Sequence, residues 1–236
     1  MTTIVLCHGA WAGGWSWTGV ANILRDQGHR VFVPTYTGLG ERAHLAGPDV
    51  NLSTHIEDVR AVIKWEQLDQ FVLAGHSYGG MVISGVADAE WQKITRLIYL
   101  DAFLPNDGQS LSDITGPERT AAAQAAANEH GNGWRLPPPP DGIPDGMPTE
   151  GREWIKNLVR PQPLKTMTEK LSLAGNHLKV TDKVYVLASE NRSSPFHKFA
   201  AQTQGQEGWT SLELPTHHHI FQSMPTETAA ILAGEQ

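Results

Sequence analysis

Apolar residues fall in short runs: Ile4 to Cys7, Val31 to Thr35, Phe71 to Ala74, Leu97 to Leu100, Val184 to Ala188 and Leu212 to Leu214. Runs of three to six residues rich in Val, Ile, Leu, Phe and Tyr are what strands buried on both faces look like. Between the second and third runs, Thr54-His55-Ile56-Glu57 has capping-box spacing. Ile56, Val59, Val62, Ile63 and Trp65 then follow at helical intervals, so a helix is predicted from Thr54. Strands alternating with amphipathic helices predict an α/β fold with a mostly parallel sheet of about six strands flanked by helices. The rhythm stops after Leu104. From 105 to 178 there is an Ala-rich helix candidate (Arg119 to Glu129), a loop containing Pro137-Pro138-Pro139-Pro140 and two further helical patches, but no core strand. This segment is expected to be a helical lid inserted into a core made of 1–104 and 179–236.

Composition narrows the functional classes. The chain has 236 residues, which suits one elaborated domain rather than two independent ones. A net charge of -7 without a long basic run argues against a nucleic-acid partner, since phosphate neutralisation needs a clustered positive face. Cys7 is the single cysteine, so an intramolecular disulfide is excluded. Met1 to Leu6 reads as a strand rather than a signal peptide, and no apolar stretch approaches the ~18 residues of a membrane span. A cytoplasmic location is expected, without membrane association. A homodimer is left open.

Phe71 to Val82 carries the sharpest chemical signal. An apolar strand runs directly into Gly75-His76-Ser77-Tyr78-Gly79-Gly80, and an apolar helix follows at once. A serine in such a strand–turn–helix context is a nucleophile elbow: the sharp turn strains the serine backbone, and small residues on either side keep strand and helix from colliding. Ser77 is the candidate nucleophile, and the next backbone N–H, that of Tyr78, is aimed at the same place. After the first strand, His8-Gly9-Ala10-Trp11 can turn back under the elbow, so that the Ala10 N–H joins that of Tyr78 as an oxyanion hole. Trp15 and Trp17 are expected only to pack.

These motifs resemble the α/β-hydrolase branch that contains plant salicylate-binding methyl esterases, plant hydroxynitrile lyases and bacterial carboxylesterases of the pyrethroid-hydrolase type. Tyr99-Leu100-Asp101-Ala102-Phe103-Leu104-Pro105 and Arg160-Pro161-Gln162-Pro163-Leu164 are similar to segments of the bacterial members. The resemblance spans nearly the whole chain and is weakest from about Thr115 to Glu153. It implies a cofactor-free enzyme with a helical lid over a hydrophobic acyl or aryl pocket.

A catalytic base is expected in Pro215-Thr216-His217-His218-His219, after the last strand. In the resembled family the base stands seven residues before a proline that opens the final helix, and counting back from Pro225 gives His218. Three consecutive histidines do not easily face one ion and no partnering Cys or carboxylate motif accompanies them, so no metal is expected. His76 is expected to pack beside the elbow. The acid has two candidates. Plant members carry an aspartate where this chain has Asn191, and an amide cannot stabilise an imidazolium as a carboxylate does. Glu190 is one position out of register. Asp101 ends the apolar run Leu97 to Leu100, where some lipases of this fold carry the acid, and is preferred.

The expected activity is cleavage of a carboxylic ester, with an apolar or aromatic small-molecule substrate, through an acyl-enzyme on Ser77. A hydroxynitrile lyase is disfavoured, because family lyases have a threonine at the position of Gly9 and a lysine at that of His219. A cofactor-free dioxygenase using the histidine alone, and a low-turnover ligand receptor, share the fold and stay open.

Overall fold

In the computed structural model, which describes residues 1–139, 149–190 and 194–235, β1 (Thr3–Cys7) leads through α1 (Thr18–Asp26) to β2 (Arg30–Phe32). Next come α2 (Leu52–Trp65), β3 (Phe71–His76), α3 (Gly79–Glu90) and β4 (Ile94–Leu100). The segment after β4 holds α4 (Leu111–Thr115), α5 (Pro117–His130), β5 (Arg135–Leu136), α6 (Thr149–Leu158), β6 (Gln162–Pro163) and α7 (Lys165–Thr168). The core then resumes with β7 (Lys183–Ala188), α8 (Phe196–Thr203), β8 (Trp209–Leu214), α9 (Ile220–Ser223) and α10 (Pro225–Ala233).

Six parallel strands form one sheet in the order β2-β1-β3-β4-β7-β8. Side chains alternate between its faces. Ile4 and Leu6 join Trp17, just before α1, Val20 and Leu24 of α1, and Ile231 and Leu232 of α10. Val5 and Cys7 pack on the other side with Val59 and Ile63 of α2 and Met81 to Val86 of α3. The chain turns outward from β1 to β2 and comes back to β3, so the carboxyl ends of β1 and β3 flank the switch point where open α/β sheets place their ligands. Trp17 is fully buried and packs 4.6 Å from Phe221.

Three expectations need correction. The second strand ends at Phe32 rather than Thr35, because Pro34 has no N–H to give a ladder. Helix α2 starts at Leu52, not after Thr54: Asn51 is the N-cap, its side chain accepting the Thr54 N–H at 2.9 Å while the Thr54 hydroxyl accepts that of Asn51 at 3.3 Å. The earlier start buries Leu52 and leaves Trp65 exposed, so the buried stripe is Leu52, His55, Val59 and Ile63. Third, the inserted segment is not wholly helical, since β5 and β6 form a small antiparallel pair of their own. Of Pro137-Pro138-Pro139-Pro140, the last lies outside the described residues. Among the described residues no helix is long and apolar enough to cross a membrane.

At the junction of β3 and α3, Gly75 and Gly80 leave no room for a side chain. A methyl group on Gly80 would lie 2.0 Å from the Phe103 carbonyl oxygen, and one on Gly75 would lie 2.7 Å from that of Gly79. Gly80→Ala is expected to destabilise the protein by about 3 kcal/mol or more in urea unfolding, the range of severe backbone clashes. Gly19→Ala, in α1 with open space around it, should stabilise by about 0.5–1 kcal/mol. Equal effects at the two positions would contradict the close approach.

Candidate active site

The elbow forms as its glycines require. Ser77 sits between the last residue of β3 and the head of α3 with φ of +54°, in the left-handed region that a non-glycine residue rarely occupies. Its N–H donates to the Leu100 carbonyl at 3.3 Å, and its own carbonyl accepts the Phe103 N–H at 3.1 Å. The backbone of the neighbouring crossover therefore holds the strain. The N–H of Tyr78 stands at the amino end of α3, where the helix dipole favours negative charge. Gly9, beside Ala10, lies against the elbow: a methyl group there would meet Ser77 Cβ at 3.2 Å and His76 Nδ1 at 2.9 Å.

The structure brings Asp101 and His218 together across 117 positions of sequence. His218 Nδ1 donates to Asp101 Oδ2 at 2.6 Å, and Asp101 is fully buried. The other carboxylate oxygen accepts the Ala188 N–H at 3.1 Å. Asp101 has φ of +42°, a second strained residue at the sheet crest. Glu190 does not reach His218. It faces His217 at 3.8 Å, and both side chains are about half exposed. Asn191 lies outside the described residues.

The His218 ring is stacked 5.0 Å from Phe196 and lies 4.4 Å from the His76 ring. His76 Nε2 donates to the His218 carbonyl at 2.8 Å, so the residue before Ser77 also anchors the backbone of the histidine. That anchoring was not foreseen from the sequence. With Nδ1 committed to Asp101, Nε2 is the ring nitrogen of His218 that this bond leaves available. Among the described residues no group of three His, Cys, Asp or Glu side chains is placed to hold a metal ion.

The alpha/beta hydrolase family model matches residues 4–231, and the chain belongs to that family. It is 43% identical over 242 residues to the carbendazim hydrolyzing esterase of Nocardioides sp. (strain SG-4G), covering 99% of both chains. It is 27% identical to the pyrethroid hydrolase of Sphingobium wenxiniae, covering 99% of this chain and 87% of that one. Among solved structures, an extracellular α/β-hydrolase from a Paenibacillus species, described as structurally and functionally homologous to tobacco salicylic acid binding protein 2, superposes with a TM-score of 0.86. It shares 26% identity and covers 99% of this chain and 98% of its own. The protein is an ester-cleaving α/β-hydrolase of the carboxylesterase type.

Behind the elbow lie two buried histidines with structural partners. His8 Nδ1 donates to the Gly9 carbonyl at 2.8 Å, and Nε2 accepts the Tyr36 N–H at 3.2 Å. His55 Nε2 donates to the Thr37 carbonyl at 3.0 Å, which leaves Nδ1 to accept the Tyr78 hydroxyl at 2.9 Å. Burial pushes both imidazoles down to about 3, and it holds His76 well below the ordinary histidine range, aided by the neighbouring His218 and His219. In the unfolded chain these groups titrate near 6.5. The unfolded state therefore binds more protons between the two values. The stability these histidines contribute is complete above pH ~6.5 and is lost as pH falls toward 3. Unfolding free energy should decline from pH 7 to pH 5. In His55→Gln that slope should be shallower by up to about 1.4 kcal/mol per pH unit, the weight of one proton. An unchanged slope would mean that His55 takes up its proton equally in the folded and unfolded states.

Proposed function

We propose that this esterase works by acyl transfer on Ser77, with His218 as base, Asp101 as the acid that orients it, and the N–H groups of Ala10 and Tyr78 as the oxyanion hole. The observation that carries the reading is the 2.6 Å bond between His218 Nδ1 and the buried Asp101 carboxylate. It fixes the tautomer in which Nε2 is free to take a proton from the serine hydroxyl. Ser77 attacks the ester carbonyl as its proton passes to Nε2, and the oxyanion develops between the two N–H groups at the end of α3. The imidazolium protonates the leaving alcohol, and water then cleaves the acyl-enzyme by the same steps in reverse order. Asp101 stabilises the imidazolium through its bond to Nδ1.

The substrate we assign is an aromatic or apolar ester, with carbendazim as the first candidate because the relative at 43% identity carries that activity in its name. The segment between β4 and β7 acts as the lid over the acyl site. Cys7 is buried and free, so the fold needs no oxidising environment, and we place the enzyme in the cytoplasm.

A panel of p-nitrophenyl and aryl esters together with carbendazim tests the assignment. Ser77→Ala should abolish turnover, and Asp101→Asn should lower kcat by ~10⁴. Glu190→Gln should stay within about threefold of wild type, as a surface change does. Loss of activity in Glu190→Gln with retention in Asp101→Asn would overturn the acid assignment. Undiminished turnover in Ser77→Ala would replace acyl transfer by a histidine-only reaction.

A further inference from the structure

Gln162 lies on β6 in the inserted segment, far from Ser77 in sequence, and is fully buried. Its carbonyl oxygen accepts the Trp11 N–H at 2.8 Å. Its amide nitrogen donates to the Thr166 hydroxyl at 2.8 Å, and that hydroxyl donates to the Pro163 carbonyl at 2.7 Å. Thr166 is also fully buried. Gln162 thus holds the residue after Ala10, whose N–H is one donor of the proposed oxyanion hole.

Trp11 needs an anchor. Its φ of +59° is unfavourable for a bulky residue, and such a conformation persists only when its surroundings over-determine it. Three bonds do so: the Trp11 N–H to Gln162, the indole Nε1 to the Leu136 carbonyl at 3.1 Å, and the Arg160 N–H to the Trp11 carbonyl at 2.9 Å. All three partners belong to the inserted segment. Only the first holds the Ala10–Trp11 peptide, and tilting that peptide turns the adjoining Ala10 N–H.

We propose that Gln162 is a positioning residue for the reaction, fixing the Ala10 N–H by its bond to Trp11. This rests on the acyl-transfer reading above. Gln162 touches no reacting atom. Its effect belongs to the transition state, in which the oxyanion has formed, and hardly to the bound ester.

The test compares Gln162→Leu, Gln162→Asn, Gln162→Glu and Thr166→Val with wild type, using p-nitrophenyl acetate and a trifluoromethyl ketone that forms a tetrahedral adduct on serine. Gln162→Leu removes the acceptor. It should lower kcat by about 10- to 100-fold, short of the 10²–10³ typical of deleting an oxyanion donor, and weaken the ketone in parallel with KM within about threefold. Gln162→Glu keeps an acceptor for Trp11 and should retain most of kcat. Thr166→Val, which keeps the Trp11 bond, should stay within about threefold of wild type. If Gln162→Leu does not fold, Gln162→Asn makes the same cut, its amide being one methylene too short for Trp11. Unchanged kcat and ketone affinity in a folded Gln162→Leu or Gln162→Asn would overturn the proposal, as would a rise in KM alone or a Gln162→Glu as impaired as Gln162→Leu. Failure of acyl transfer itself is read separately, as Ser77→Ala retaining turnover and wild type forming no ketone adduct.

Discussion

Two strained residues, side by side at the crest of the sheet, hold each other in place. Ser77 follows β3 with φ of +54°, and Asp101 follows β4 with φ of +42°. Each conformation costs on the order of 1–3 kcal/mol for a residue with a side chain. The serine N–H is bound by Leu100, immediately before the aspartate, and the serine carbonyl by Phe103, two residues after it. The Asp101 N–H donates to the Val186 carbonyl at 2.7 Å, and the Tyr185 hydroxyl braces the turn by donating to the Ala102 carbonyl at 2.7 Å. Neither turn can relax without breaking bonds of the other. The absence of a side chain at Gly80 is what lets the Phe103 backbone approach closely enough for this lock to form.

Much of this was legible in the sequence because buried parallel strands and tight turns leave compositional traces. The six core strands follow from short apolar runs, and the elbow follows from glycines that the structure shows to be sterically required. What misled was local ambiguity. Asn51 and Thr54 both have capping chemistry three residues before a polar partner, and only burial of Leu52 decides which register the helix adopts. His55 stands on the buried stripe of α2, where periodicity alone looks for an apolar residue; its place depends on the Tyr78 hydroxyl and the Thr37 carbonyl, which lie far away in sequence. In sequence Gln162 is one residue of Arg160-Pro161-Gln162-Pro163-Leu164, with nothing to set it apart. A buried amide declares itself through its partners, and those are not written in its neighbours.

His218 shows how three weak local signals become one defined side chain. Three consecutive histidines are interchangeable by composition. In the fold, His217 turns to Glu190 at the half-exposed rim, while His218 turns inward to Asp101 between the rings of Phe196 and His76. The His76 bond to the His218 carbonyl sets the backbone from which that ring projects. Burial holds His76 well below the ordinary histidine range, so it adds no like charge beside the imidazole that the proposed mechanism protonates.

The location of the carboxylate follows from the same geometry. Under the proposed reading the acid is Asp101, after β4, one strand nearer the serine than the position after β7 where the resemblance to plant enzymes implies it. Because Leu100 pairs with Val186 in the sheet, the ends of β4 and β7 are neighbours. Asp101 reaches across that boundary to accept the N–H of Ala188, the last residue of β7. A carboxylate with no solvent exposure is costly unless its oxygens are bonded, and the two strand ends together supply what it needs: a backbone N–H on one oxygen and an imidazole N–H on the other. With those bonds made, the Nδ1 of His218 is already taken by Asp101, and the proposed reading needs no carboxylate at position 191.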